Sequence, residues 1–350
     1  MASTLEYTPL PERAAKAIEG FLPDHDRVQK RVEHFAHVEP RSPDKDGDKE
    51  IIDGVEFTHH FVMSPGDYEV IEWHYVTCGK PEGIPIVFLH GIPDSWYQWH
   101  PQMVGMSSTH HCVSVDLKGY GQSSKAAGSF VHETVAEQLY TMLLQISIKK
   151  FFLITHDRGT VQGDFICAKH PEAVLGYARG EQHLYHLNEA LYPQQDIFMN
   201  APYSNVMVDR KHFVLFVYTW ITQLPIPDDV VARAIQEFSY ADIDRAVPRY
   251  FSSSSFRQEW LARRQGGWTK ADGTKSESGL LEAWKCPVVI MQGYDSKTQP
   301  REFYEKARVY IPNAKAVEVR YMQGGHFWTL ESPEETTQAV RRLIELVGAQ

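Results

Sequence analysis

The chain has 350 residues, 43% of them hydrophobic and 23% charged, and its 35 Lys and Arg against 45 Asp and Glu leave a formal charge of −10. That length fits one large domain or a core with an insertion, and that charge speaks against a nucleic-acid or anionic-membrane partner. No apolar run reaches membrane-spanning length and the first residues carry no basic-then-apolar leader, so a cytoplasmic protein without membrane insertion is expected.

Residues 9–36 read as a polar helical stretch with Pro11 near its start, and residues 40–50 as a charged linker; together 1–50 form an N-terminal extension. Extended segments are expected at Val55–Met63 and Glu69–Cys78, with Pro65-Gly66-Asp67 turning between them. Ile84–Leu89, His111–Val115 and Phe151–Thr155 are short continuous apolar runs, the pattern of strands buried on both faces. Helical patterns at Ser95–Met106 and Val131–Ile146 separate them, which predicts a parallel sheet wrapped by helices. From about residue 183 to 277 the β-α alternation stops, and aromatics, helical periodicity and polar loops replace it. It resumes with strands at Cys286–Met291 and Ala316–Tyr321 and a last helix at Pro333–Leu346. The expected organisation is an α/β core over 51–182 and 278–350, roofed by an inserted helical cap over 183–277. Cys78, Cys112, Cys167 and Cys286 are widely spaced, lack a CxxC, and fit buried free thiols in a reducing compartment. No Asn-x-Ser/Thr sequon occurs, and the His pairs lack acidic or Cys partners at ligand spacing, so no metal site and no cofactor are expected.

The chemistry centres on Phe151-Phe152-Leu153-Ile154-Thr155-His156-Asp157-Arg158-Gly159-Thr160. An apolar strand runs into a sharp polar turn and then a helix, a corner that lifts one side chain above the sheet. The residue at its tip is Asp157. A carboxylate nucleophile suits attack on saturated carbon, giving an alkyl ester that water later cleaves. In the chain order of such a triad, an acid and then a histidine follow. Asp295, at the end of Met291-Gln292-Gly293-Tyr294-Asp295, is the acid candidate, and Glu181, after the strand that follows the elbow helix, is its rival. His326, after the Gly324-Gly325 turn, is the base. Backbone N–H groups of Ile92 and Arg158 are the candidate oxyanion hole, since Pro93 has no N–H to give.

These residues resemble the epoxide hydrolase family of the α/β-hydrolase superfamily. The matching motifs are His90-Gly91-Ile92-Pro93-Asp94-Ser95-Trp96, Asp116-Leu117-Lys118-Gly119-Tyr120-Gly121-Gln122-Ser123-Ser124-Lys125, His156-Asp157-Arg158-Gly159, Gly293-Tyr294-Asp295 and Gly325-His326-Phe327. The resemblance implies an α/β-hydrolase core with a mostly parallel eight-stranded sheet and a small-molecule substrate, in detoxification or secondary metabolism, with a homo-oligomer possible. It implies that cap tyrosines hold the epoxide oxygen. Tyr218, in Phe216-Val217-Tyr218-Thr219-Trp220, is the first candidate. Trp260 stands where the second tyrosine is usual, leaving Tyr240, Tyr250 and Tyr185 as substitutes. His90, Trp96, His156, Tyr185, Trp220, Tyr250, Trp260 and Phe327 are the expected substrate-contacting residues. Relatives in the same branch are haloalkane and haloacetate dehalogenases. Arg158 is similar to the carboxylate-binding arginine of the latter, but the second arginine of that clamp falls on Val161 here. A dehalogenase, with Trp220 and Trp260 around the halide, is therefore a second expectation, and a non-hydrolytic epoxide-opening cyclase a third.

Overall fold

The computed structural model describes residues 25–125, 128–192, 195, 198 and 210–348. The expected helical stretch before residue 25 lies outside them, and the remainder forms α1, His25–His34. Nine strands make one sheet among the described residues, in the order β1-β2-β3-β5-β4-β6-β7-β8-β9. They are β1 (Lys49–Ile52), β2 (Val55–Pro65), β3 (Val70–Gly79), β4 (Pro85–Leu89), β5 (His111–Val115), β6 (Phe151–His156), β7 (Val174–Gly180), β8 (Val288–Gly293) and β9 (Val317–Met322). β1 through β3 and the β3–β5 pair are antiparallel, and every pairing from β5 through β4 to β9 is parallel.

The sheet has one strand more than expected. β1 begins inside the anticipated linker, because Asp53 and Gly54, both at positive φ (48° and 78°), close a tight hairpin that pairs Ile52 with Val55. Two successive positive-φ residues are what a two-residue hairpin turn requires, and Asp-Gly supplies them cheaply.

The apolar runs are explained by two buried layers. Side chains alternate across a strand, so Ile86 and Phe88 of β4 face one layer with Trp99 and Met103, while Val87 and Leu89 face the other with Leu139 and Ile166. The first layer is closed by α2 (His100–Met106) and α12 (Pro333–Gly348), the second by α3 (His132–Gln145) and α4 (Asp157–Lys169). Both faces of β4 and β6 are thus covered, which is why neither strand shows polar alternation.

Between β7 and β8 lie α5 (Arg210–Ile221), α6 (Asp228–Glu237), α7 (Ala246–Ser253), α8 (Phe256–Arg264) and the short α9 (Leu280–Ala283). α5, α7 and α8 bring Val217, Trp220, Phe251 and Phe256 over the carboxyl-end residues Asp157 and Glu181, while α9 packs on α4. This segment is tied to the core at several points. Arg233 of α6 grips Glu50 of β1 through both terminal nitrogens (2.9 and 2.8 Å). The short α10 (Ala307–Tyr310) precedes β9, and Glu331, in the turn α11 (Trp328–Glu331), accepts N–H bonds from Gln223, Leu224 and Gly325. The carbonyl of Ile221, at the end of α5, accepts the backbone N–H of His326 at 3.0 Å. No helix among the described residues is long and apolar enough to cross a membrane. The four cysteines are buried and free.

Candidate active site

β6 ends at His156 in extended geometry and α4 begins at once with Asp157 in the left-handed region, φ 47°. A non-glycine residue held there is strained, and such strain persists only where the surroundings over-determine it. Here they do. A Cβ on Gly91 would lie 2.4 Å from Asp157 Cβ, and one on Gly159 would lie 2.5 Å from the carbonyl oxygen of His90. Only glycine at both positions lets the loop after β4 close over the elbow. Asp157 also stands in the first turn of a 13-residue helix, at its positive end, where a carboxylate is favoured.

The Asp157 carboxylate is held by its neighbours. Its Oδ1 accepts the Ile92 N–H at 3.0 Å. The Arg158 N–H lies in the first turn of α4, where no helical acceptor exists. Asp157 Oδ2 is 3.8 Å from His326 Nε2, an ion-pair distance too long for a hydrogen bond.

The other face of His326 meets Glu181. Nδ1 is 3.0 Å from Glu181 Oε2 and 2.7 Å from the Thr298 hydroxyl. Glu181 directly follows β7 and is also at positive φ, 53°. Its Oε1 accepts from Gln292 Nε2 (2.6 Å) and Gly293 N (3.0 Å), and its Oε2 from Ser296 Oγ (2.7 Å) and Thr298 Oγ1 (3.0 Å). A buried carboxylate with that many donors is a fixed acceptor. Burial disfavours a charged His326, but hydrogen bonding and charge from Glu181, with the charge of Asp157, outweigh it and raise its pKa above the ordinary histidine value.

Asp295 is not in this group. It is exposed on the outer rim, with its backbone N–H on the Gly324 carbonyl. The acid beside His326 is Glu181, and the correction has a topological reason: the β7 end abuts the His326 loop, whereas the β8 end turns outward after Gly293. Glu181 carries the signal that could have chosen it, an acid immediately after an apolar strand neighbouring the elbow strand.

A small cavity of about 70 Å³ opens above Asp157, lined by Ile92, Arg158, Glu181, His326 and apolar side chains that include Leu191, Val217, Trp220, Phe251 and Phe256. Of the anticipated substrate-contacting residues, Trp220 lies on this wall. The others take supporting places. His90 bonds the Gly91 carbonyl and accepts from Leu117 N. Trp96 packs under the loop against His59 and Phe57. Tyr185 stacks on Tyr310, Trp260 donates to the Tyr185 carbonyl, and Tyr250 donates to the Lys118 carbonyl. Phe327 packs on Tyr218. Tyr218 is fully buried, its hydroxyl donates to Asp94 Oδ1 at 2.5 Å, and neither residue is among those lining the cavity. The resemblance places this side chain at the reacting oxygen; in the structure the buried Asp94 carboxyl holds its hydroxyl instead.

His156 has a buttressing position. Its Nδ1 accepts from Gln98 Nε2 (2.8 Å), its Nε2 bonds the His326 carbonyl (2.8 Å), and Gln98 Oε1 accepts the Gly91 N–H (3.1 Å). Burial drives the His156 pKa well below the usual value, so the ring is neutral and can fill both roles at once. Gln98 therefore links the Gly91 loop, the elbow strand and the His326 loop. No spacing rule singles out such a glutamine within Trp96-Tyr97-Gln98-Trp99.

Arg158 is buried in the cavity wall. Its Nη1 bonds Glu259 Oε1 at 2.5 Å, and its guanidinium lies 4.1 Å over the Phe251 ring and 5.1 Å over Phe256. Its Nη2 has no hydrogen-bond partner among the described protein groups. No group of three or more His, Cys, Asp or Glu suited to a metal occurs among the described residues.

A profile of the α/β-hydrolase fold matches residues 84–194. A soluble epoxide hydrolase of Corynebacterium sp. is 35% identical over 104 residues, 30% of this chain and 34% of that protein. A fluoroacetate dehalogenase of Burkholderia sp. is 20% identical over 279 residues, covering 75% of this chain and 87% of that protein. Among solved structures, a loop variant of a haloalkane dehalogenase from Bradyrhizobium elkanii superposes with a TM-score of 0.66 at 21% identity, covering 84% of this chain and 98% of that one.

Proposed function

We propose, for a chain that belongs to the α/β-hydrolase superfamily, that it hydrolyses an epoxide through an alkyl ester on Asp157. The observation that carries this reading is the strained Asp157 carboxylate, with one oxygen on the Ile92 N–H and the other facing His326. Oδ1 is tied back, so Oδ2 is the oxygen presented to carbon. Its attack forms the Oδ2–C bond, breaks the ring C–O bond and leaves an alkoxide. Arg158 lines the cavity, and its Nη2, which has no hydrogen-bond partner among the described residues, is the donor suited to the developing oxygen. Tyr218 does not serve in this arrangement, because its proton is committed to Asp94.

In the second step His326 Nε2 takes a proton from water as the water oxygen adds to the ester carbon of Asp157. The carbonyl oxygen then bears negative charge against the Ile92 N–H, which stabilises it without reorganisation. Glu181 holds the imidazolium. Collapse breaks the bond from the Asp157 acyl carbon to the alkyl oxygen; the new carboxyl proton passes to that leaving oxygen and the imidazolium proton of His326 to the alkoxide left by ring opening, so that the diol departs and the carboxylate and the neutral imidazole are restored. Single turnover in heavy-oxygen water tests this: label belongs in the Asp157 carboxylate and reaches the product only after further cycles. Ester trapping on Asp157 in His326→Gln, read by peptide mass after exposure to styrene oxide, is the companion result. A fully active Asp157→Asn, together with no trapped ester in His326→Gln, would overturn the reading, and a ring-opened product still lacking solvent oxygen after many turnovers, with no label in Asp157, would point to a cyclase.

One observation favours a dehalogenase as the second reading. Arg158 stands directly after the nucleophile, as in the haloacetate pattern, and a fluoroacetate dehalogenase is among the relatives. Halide release from a panel of haloalkanes and haloacetates, at rates above those for epoxides, would establish it instead.

A further inference from the structure

We propose that Glu259 sets the charge of the substrate this site accepts: by occupying Arg158 it confines the cavity to uncharged molecules. The inference rests on the reading above, in which Arg158 faces the reacting group, and it names the substrate class.

An arginine directly after the nucleophile and on the cavity wall is, alone, an invitation to a carboxylate, since the guanidinium matches that group's geometry. Here the invitation is already taken. Arg158 and Glu259 are each within 2% of fully buried, and Nη1 meets Oε1 at 2.5 Å. The guanidinium lies over the Phe251 ring and, farther off, the Phe256 ring, so swinging to a new partner would forfeit these contacts. Glu259 is itself fixed by α8, whose first turn is locked by a complete capping box between Ser255 and Gln258.

The surrounding cations already have carboxylate partners without a ligand. Behind the pair, Asp164 accepts from Arg179 (2.9 and 3.1 Å) and Arg263 (2.7 Å), all three buried. Arg158, Arg179 and Arg263 thus already face the carboxylates of Glu259 and Asp164, with Asp157 and Glu181 close by. A carboxylate entering the cavity would add an unmatched negative charge in a dry site, beside the anionic nucleophile, at a cost several times that of a neutral oxygen. A neutral acceptor needs only the one remaining Arg158 Nη2 donor.

Butyrate and butyramide differ in charge and hardly in shape, and neither can be turned over. Their affinities for the full chain at neutral pH are measured by ligand-observed NMR. The expected result is butyramide binding with butyrate at least about tenfold weaker, and Glu259→Gln closing or reversing that gap by about tenfold, the worth of one released charge-assisted hydrogen bond. Replacing both residues, Arg158→Met with Glu259→Met, keeps the site filled and should restore the preference for the amide. This second variant also serves if the single one fails to fold. Equal binding of the two ligands by the wild-type chain, or an unchanged ratio in Glu259→Gln, would overturn the proposal. Because no ligand reacts, the outcome is independent of ester trapping: amide preference without a trapped ester removes the epoxide reading and leaves the role of Glu259 standing.

Discussion

Glu181 Oε2 lies 3.0 Å from His326 Nδ1, and the two residues come from the ends of strands that are not neighbours in sequence. β7 delivers the acid and the loop after β9 delivers the histidine, while the loop after β8, which carries Asp295, supplies Ser296 and Thr298 as donors to Glu181. Glu181→Gln should therefore lower turnover by about a hundredfold or more, with ester accumulating because its hydrolysis needs the oriented base. Asp295→Asn, on the exposed rim, should change turnover by less than about threefold, as expected of surface substitutions. Pre-steady-state ester formation and decay measured for both variants separate the two acids.

The raised pKa of His326 gives a second expectation. Only the neutral imidazole can take a proton from water, so activity should fall as pH drops through the histidine pKa, and that limb should lie above the ordinary value of about 6.5. The shift has two charged causes, Glu181 and Asp157. Esterification removes the charge on Asp157, so the limb for ester decay should sit at lower pH than the His326 pKa read by NMR in the free protein. Coincident values would mean that Asp157 carries no ester during the slow step.

Tyr218→Phe tests what the buried tyrosine does. Burial pushes the Asp94 carboxyl up to about 7, and the Tyr218 hydroxyl is the hydrogen bond that opposes this rise. Losing the hydroxyl leaves both oxygens of a buried carboxyl unpartnered, a cost of about 1–3 kcal/mol in stability. Turnover should fall by less than about tenfold, whereas loss of a true ring-opening acid costs about a hundredfold or more. Chemical denaturation together with steady-state kinetics distinguishes a structural tyrosine from a catalytic one.

Acid stability has an identifiable source in Asp116. Burial alone would raise its pKa, but the His74 charge and hydrogen bond, with those from His90 and Trp96 N, outweigh burial and depress it to about 2. Its folded pKa is below its unfolded value, so its contribution is present above about pH 4 and is lost as pH falls toward 2. The shift corresponds to about 2 kcal/mol. Asp116→Asn should lose at least that much near neutrality and should unfold with a shallower dependence on pH between about 4 and 2. A parallel acid-unfolding curve would assign the acid sensitivity to another group.

The division between what was readable in the chain and what was not follows range. Ile86–Leu89 and Phe151–Thr155 were legible as strands because burial on both faces demands an unbroken apolar run, and Asp157 because a polar tip between such a run and a helix has few other uses. β1 is obscured by its charged neighbours; its one signal, Asp53-Gly54, is a two-residue turn beside a charged stretch whose composition reads as linker. Glu181 against Asp295 could not be decided by chain order, since both follow strands and only the folded sheet says which end abuts His326. Tyr218 was placed on the right helix but turned to Asp94, and the pairing of Arg158 with Glu259 joins residues 101 apart in sequence. Side-chain partners at that separation leave no periodic trace.

The bond from His326 N to the Ile221 carbonyl makes the end of α5 and the histidine loop one mechanical body. In the proposed cycle, a roof that swung away at this end would carry the base off the ester, or strip it of its backbone anchor. Hydrolysis and gaping at that end are therefore mutually exclusive, and the corner of the molecule that shelters the intermediate also keeps its time.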